Sequence, residues 1–251
     1  MKLIYRLILP EPVPWNNLGV YPTRVFTLTP ISGNAPKRSR FFCFILYCNN
    51  LFVSNSNVHP IHSQLIPKPE KEKLLGQKGM VFWHYGLSGS GKSTLVLEME
   101  KRLHHEGIHS VVLDGDNLRS SLNQDLGFSD DDRRENIRRV SELAKILAEN
   151  GIIVLVSLIS PLQEFRASAK AIIGEENFHE IYIQASFAAC KERDVKGLYA
   201  KAESGKVKSF TGKESSFEEP ESAHLIINTE AESKETSVNK LYSYIRNSIS
   251  I

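Results

Sequence analysis

Residues 86–94 read Gly-Leu-Ser-Gly-Ser-Gly-Lys-Ser-Thr and fit the spacing G-x-x-x-x-G-K-[ST] at Gly86, Gly91, Lys92 and Ser93. Such a run is built where a strand feeds a tight turn and a helix leaves it, and both flanks agree. Residues 80–85 are apolar enough for a buried strand. Residues 93–106 place Leu95, Val96, Met99 and Leu103 at helical spacing, a stripe that would face a sheet. The glycines let the backbone turn tightly and aim its N–H groups at phosphate oxygens. The helix N-terminus adds about half a positive charge. Gly86, Leu87, Ser88, Gly89, Ser90, Gly91, Lys92, Ser93 and Thr94 are thus candidate contacts for the phosphates of a nucleoside triphosphate. Lys92 can reach the β- and γ-phosphates, and the Ser93 hydroxyl can join an Mg²⁺ shell. A glycine-rich turn with no ligand is the plain alternative, and the agreement of strand, loop and helix speaks against it.

The rest of the chain bounds what surrounds this loop. At 251 residues it can hold one large domain, or an ordinary one with an extension. The hydrophobic fraction of 41% and charged fraction of 24% describe a globular chain. The net charge of +2 argues neither for nor against a nucleic-acid partner, and no run nears the roughly 18 apolar residues of a membrane span. Cys43, Cys48 and Cys190 are too few for a disulfide framework and fit a reducing, cytoplasmic setting.

Composition shifts near residue 60. Residues 1–69 hold one acidic residue, Glu11, against seven Lys or Arg, and show no sustained period. Residues 1–56 are expected to be an unassigned extension, disordered or foreign to the native protein. A transit segment, which would make the setting organellar, shares the scarcity of acids; a structured appendage is the third reading. Cys43-x4-Cys48 followed by His59-x2-His62 misses zinc-finger spacing, so no zinc is expected.

Beyond the first helix, residues 110–113 read as a buried strand that ends in Asp114-Gly115-Asp116-Asn117-Leu118-Arg119. Ligands of open α/β sheets sit beyond the carboxyl ends of strands, so both carboxylates and Arg119 fall beside the phosphates. An Asp there can take or orient the proton of an attacking hydroxyl, or hold metal-bound water. An Asp-Gly turn capping a helix is the structural alternative. Ser129 is a good N-cap for a helix whose Ile137, Val140, Ala144 and Leu147 share a face. Four arginines within seven residues open that helix, where the dipole disfavours positive charge, so contact of at least one with an anion is expected over a merely solvated face. Residues 152–156 form another strand, which delivers Ser157-Leu158-Ile159-Ser160-Pro161 to the same edge. Residues 178–185 and 224–228 complete the strands. The basic, glycine-dotted stretch 193–217 suits a lid over bound nucleotide.

Taken in order, GLSGSGKST at 86–94, LDGDNLR at 113–119, LN-x-DLGFS at 122–129, DRRENIRR at 132–139, ISP at 159–161, RDVKGLY at 193–199 and FTG at 210–212 closely resemble adenylylsulfate kinase, the APS kinase family. The resemblance runs from about residue 57 to 228, and makes 57–251 the kinase domain. It implies an α/β P-loop NTPase fold: a five-stranded parallel sheet with helices on both faces and a lid. It implies transfer of the γ-phosphoryl of ATP to the 3′-hydroxyl of adenosine 5′-phosphosulfate (APS), giving PAPS and ADP for sulfate assimilation. Mg²⁺ is the implied cofactor and a homodimer the implied state, with a separate ATP sulfurylase a possible partner. By matching position, Asp116 contacts the 3′-hydroxyl and joins Ser93 at the metal, while Lys92 and Ser160 complete the catalytic set. Asp114, Arg119, Phe128, Arg133, Asn136, Ile159, Ser160 and Phe210 match the APS site. Phe128 and Phe210 would sandwich its adenine. Arg193 would pack on the ATP adenine and Lys196 sit in the lid. Ser160 matches a position described as a phosphoserine intermediate, although in-line transfer needs no covalent step. The chain departs from the family at His84-Tyr85, where an aromatic and Thr are usual, at Leu158, at Leu162-Gln163 and after FTG. Another small-molecule P-loop kinase and a silent nucleotide-binding protein are the alternatives; the ordered motifs argue against the first, and intact Lys92, Ser93, Asp116 and Arg133 against the second.

Overall fold

The computed structural model describes residues 5–7, 28–30, 58–194, 197–203 and 217–250. The chain divides into two compact units, Met1–Pro60 and Ile61–Ile251. In the first, β1 (Tyr5–Leu7) pairs antiparallel with β2 (Leu28–Pro30). The expectation of an unassigned extension over 1–56 otherwise falls outside the described residues.

The second unit runs α1 (Lys68–Leu75), β3 (Val81–Tyr85), α2 (Lys92–His105), β4 (Ser110–Asp114), α3 (Gly115–Arg119), α4 (Asp130–Glu149), β5 (Ile153–Ser157) and α5 (Gln163–Ile173). It continues through β6 (Phe178–Gln184), α6 (Phe187–Arg193), α7 (Leu198–Glu203), β7 (Leu225–Asn228) and α8 (Lys234–Ile249). Its five strands lie in the order β4-β5-β3-β6-β7, every pair parallel.

Strand alternation decides which layer each side chain joins. Val81, Trp83 and Tyr85 of β3, with Val154 and Val156 of β5, pack under Ile137, Val140 and Ala144 of α4 and Phe165, Ala169 and Ile173 of α5. Phe82 of β3, with Ile153, Leu155, Ile181, Ile183 and Ile227, packs under Leu95, Val96, Met99 and Leu103 of α2 and Val238, Leu241, Ile245 and Ile249 of α8. Helices therefore cover both faces, and β3 and β5 are buried along their whole length. Because β3 leads past β5 to the edge strand β4, the crevice of the sheet opens above β3, β4 and β5.

The loop after β3 depends on two glycines. A Cβ on Gly86 would stand 2.3 Å from the Ile183 carbonyl oxygen. Gly91 caps α2 with φ 104, a left-handed conformation that side chains resist. At α4 the expected Ser129 cap is a capping box: Ser129 Oγ accepts from Asp132 N at 3.2 Å, and the Asp132 carboxylate takes the Ser129 N–H. No described helix is long and apolar enough to cross a membrane.

Candidate active site

The loop and the strand ends enclose one cleft of about 670 Å³. Ser88, Gly89, Gly91, Lys92, Ser93, Thr94 and Arg193 line one part of it; Asp114, Asp116, Arg119, Phe128, Arg133, Asn136, Ile159 and Ser160 line another. Gly86, Leu87 and Ser90 sit behind the wall and shape it: the Lys92 ammonium donates to the carbonyls of Gly86 at 2.9 Å and Leu87 at 2.7 Å. Gly86 N donates to the Ile159 carbonyl at 3.3 Å, which ties the loop to the turn after β5. Lys196 and Phe210 lie outside the described residues.

Asp114 ends β4 and caps α3, its Oδ1 accepting from Asp116 N at 3.0 Å. Its other oxygen accepts from Ser93 Oγ at 2.9 Å, with Ser157 Oγ 3.4 Å from the same hydroxyl. The metal set was expected to be Ser93 with Asp116; the carboxylate that Ser93 touches is Asp114. Two residues apart across a strand end, the carboxylates take different stations: Asp114 is clamped at the loop, and Asp116 stands exposed on α3 at the cleft.

Arg119 and Arg133 make a cationic floor. Arg119 donates to the carbonyls of Gly127 at 2.6 Å and Leu126 at 3.2 Å, and its guanidinium carbon lies 4.5 Å from the Phe128 ring centre. Arg133 Nε donates to the Phe128 carbonyl at 3.0 Å. Partial burial lowers both guanidinium pKa values, and the Arg133 charge lowers that of Arg119 further. Partly desolvated cations held together favour an anionic ligand. Phe128 itself is 61% exposed, an open ring face for a flat ligand.

Ser160 is 2% exposed and adopts φ 43. Its Oγ accepts from Trp83 Nε1 at 2.9 Å, and its carbonyl accepts from Arg166 at 2.9 Å. Arg166, buried, also pairs with Glu180 at 3.2 Å and lies over the Tyr85 ring. On the opposite side Arg193 donates to Gly89 O at 3.3 Å and to Thr229 Oγ1 at 3.0 Å, against the back of the phosphate loop.

Sequence reasoning missed several supports. Tyr199 donates from its hydroxyl to Ser88 O at 2.7 Å, and Thr229 donates from its hydroxyl to Ser90 O at 2.7 Å. Asn123, fully buried, donates to Asn136 Oδ1 at 3.0 Å. Tyr199 and Asn123 stood inside quoted motifs, which was the available signal; Thr229 had only its place after the last strand.

Comparison with known proteins gives the chain its family. Residues 78–228 match the family model described as adenylylsulphate kinase. The adenylyl-sulfate kinase of Phocaeicola vulgatus is 47% identical over 193 residues, 77% of this chain and 95% of its own. That of Clostridium acetobutylicum is 46% identical over 181 residues, 72% of this chain and 90% of its own. Among solved structures, the Mycobacterium tuberculosis APS kinase in complex with AMPPNP and APS superposes with a TM-score of 0.62 at 43% identity, over 65% of this chain and 96% of that one.

Proposed function

The chain belongs to the adenylylsulphate kinase family and phosphorylates APS to PAPS with ATP, and from that premise we propose which of its residues do the work. The observation that carries the assignment is the single cleft in which Lys92, Ser93, Asp116, Arg133 and Ser160 meet at one sheet edge.

The ATP phosphates lie on the loop, with Lys92 leaving its carbonyl contacts for the β- and γ-oxygens. The APS phosphosulfate lies against Arg119, Arg133 and Asn136, and its adenine on Phe128. That placement aims the acceptor 3′-hydroxyl at the γ-phosphorus, where positioning is most of the catalysis. Asp116, on α3 between the two nucleotides, accepts the hydroxyl proton. Ser160 acts as a contact: Trp83 already donates to its oxygen, and no described carboxylate or imidazole is hydrogen-bonded to it to remove its proton. Direct transfer follows.

The donor set fits Mg²⁺, a hard ion that takes oxygen ligands and keeps several waters. Ser93 and Asp114 would hold it, Asp114 through water, with Asp116 within the same cleft. Bound there, it would neutralise charge that develops on the β- and γ-phosphate oxygens. A cytoplasmic homodimer, with ATP sulfurylase as a separate enzyme supplying APS, is the setting that the family resemblance supports.

The test is ADP release from MgATP with and without APS, for the wild type and Asp116→Ala. The expected result is APS-dependent turnover that falls about 10²–10⁴-fold in the variant while ATP binding persists. Turnover within threefold of wild type in Asp116→Ala would overturn the assignment.

A further inference from the structure

We propose that Asn123 is a positioning residue, whose amide fixes that of Asn136 so that Asn136 presents N–H donors, not its oxygen, to the anionic end of APS. The proposal rests on the assignment of Asn136 to APS made above.

A primary amide has a donor end and an acceptor end of nearly the same shape, so its neighbours decide which end faces a ligand. Asn136 sits in the second turn of α4, 4% exposed, with its remaining surface at the cleft. Its Oδ1 accepts from Asn123 Nδ2. Nδ2 is then the end left for the cleft, and no hydrogen bond from it is made among the described residues. Next to Arg119 and Arg133, a donor there extends a surface built for an anion. The oxygen in its place would repel one.

Asn123 can impose this because it is itself held. It is fully buried, its N–H donates to Leu118 O at 2.8 Å, and its carbonyl accepts from Leu126 N at 3.1 Å. Leu118 belongs to α3, which carries Asp116 and Arg119, so Asn123 joins that helix to α4. Turning both amides over would keep one hydrogen bond between them and reverse the end offered to the ligand. The two arrangements differ in what stays unpaired in the core. As placed, it is Asn123 Oδ1; reversed, it would be an NH₂ group with two protons. A buried carbonyl short of partners is better tolerated than an orphaned N–H, so the pair settles with the donor end of Asn136 outward.

The test compares KM for APS and KM for ATP in the wild type, Asn136→Ala, Asn123→Asp and Asn123→Ser. Ser keeps a donor, and its KM for APS should stay within threefold of wild type. An ionised Asp accepts only, which turns the Asn136 NH₂ inward. Its KM for APS should rise at least tenfold with KM for ATP within twofold. That defect should deepen as pH rises, since the introduced carboxyl still donates while it is protonated; wild type lacks this dependence. If Asn123→Asp does not fold, Asn123→Leu, apolar and close in size, should raise KM for APS severalfold and leave KM for ATP alone. A raised KM for APS in Asn136→Ala, with none in a folded Asn123→Asp or Asn123→Leu, overturns the proposal alone. So does a parallel rise in both KM values for the Asn123 variants. An unchanged KM for APS in Asn136→Ala overturns the assignment of Asn136 to APS, and the proposal with it.

Discussion

Ser160 adopts a left-handed backbone that costs an L-residue about 1–2 kcal/mol, and glycine would relieve it. The hydroxyl is therefore retained where the backbone disfavours it, held by Trp83 on its oxygen and Arg166 on its carbonyl. On the proposed direct transfer, Ser160→Ala should lower turnover about tenfold to a hundredfold and leave it well above that of Asp116→Ala. Mass spectrometry of the wild type under single turnover should find no phosphorylated chain. A different residue-scale effect belongs to His84, where the strand departs from its family. Its Nδ1 donates to the Val156 carbonyl at 2.9 Å, Nε2 has no hydrogen bond among the described residues, and burial lowers its pKa from 6.5 to about 4. Between those values the unfolded chain binds a proton that the folded chain does not. Stability contributed by the neutral ring is thus complete above 6.5 and lost as pH falls towards 4. The loss is on the order of 3 kcal/mol for one group. His84→Phe should flatten that acid limb in urea titrations run across the range. An unchanged slope would remove His84 as its source.

At the scale of elements, legibility followed how local each signal was. The strands 81–85 and 153–157 were plain because both faces are buried and the runs are mostly apolar. Helix α4 announced itself through Ser129 and its apolar stripe. Helix α5 did not: Leu162 stands at its N-cap with no side-chain hydrogen bond, so no cap marks its start. The phosphate loop was legible because backbone geometry demands glycine at fixed spacing. The partition between Asp114 and Asp116 was not, since it depends on which carboxylate reaches Ser93 across the sheet. Nor was the link from α7 to the loop, which spans over a hundred residues from Tyr199 to Ser88. Tyr199 is buried against Phe187, edge-on at 5.3 Å, and its hydroxyl fixes a carbonyl on the loop that receives ATP. Tyr199→Phe keeps the packing and removes that bond, worth about 1 kcal/mol. KM for ATP should therefore rise two- to tenfold in initial-rate kinetics while KM for APS stays put. Equal movement of both constants would mean that the tyrosine steadies the whole cleft instead.

The molecule divides its labour unequally between the two units. All five parallel strands, the helices covering them and every described residue of the cleft lie within Ile61–Ile251. The Phocaeicola vulgatus relative is matched over 95% of its own length by 77% of this chain. The aligned part thus spans nearly the whole of that relative. Among the described residues, the two cores on either side of the sheet are likewise built from the second unit. Folding of that unit draws its hydrophobic drive from these layers, and the chemistry draws its groups from their shared edge. A chain beginning at residue 58 should then keep kcat and both KM values within about twofold, a change of less than 0.5 kcal/mol. Light scattering should give the mass of a homodimer for the full and the shortened chain alike. A shortened chain that lost solubility, or that became monomeric and slow together, would make residues 1–57 part of the working enzyme. One that stayed dimeric but lost APS saturation alone would place their contribution at the acceptor side of the cleft.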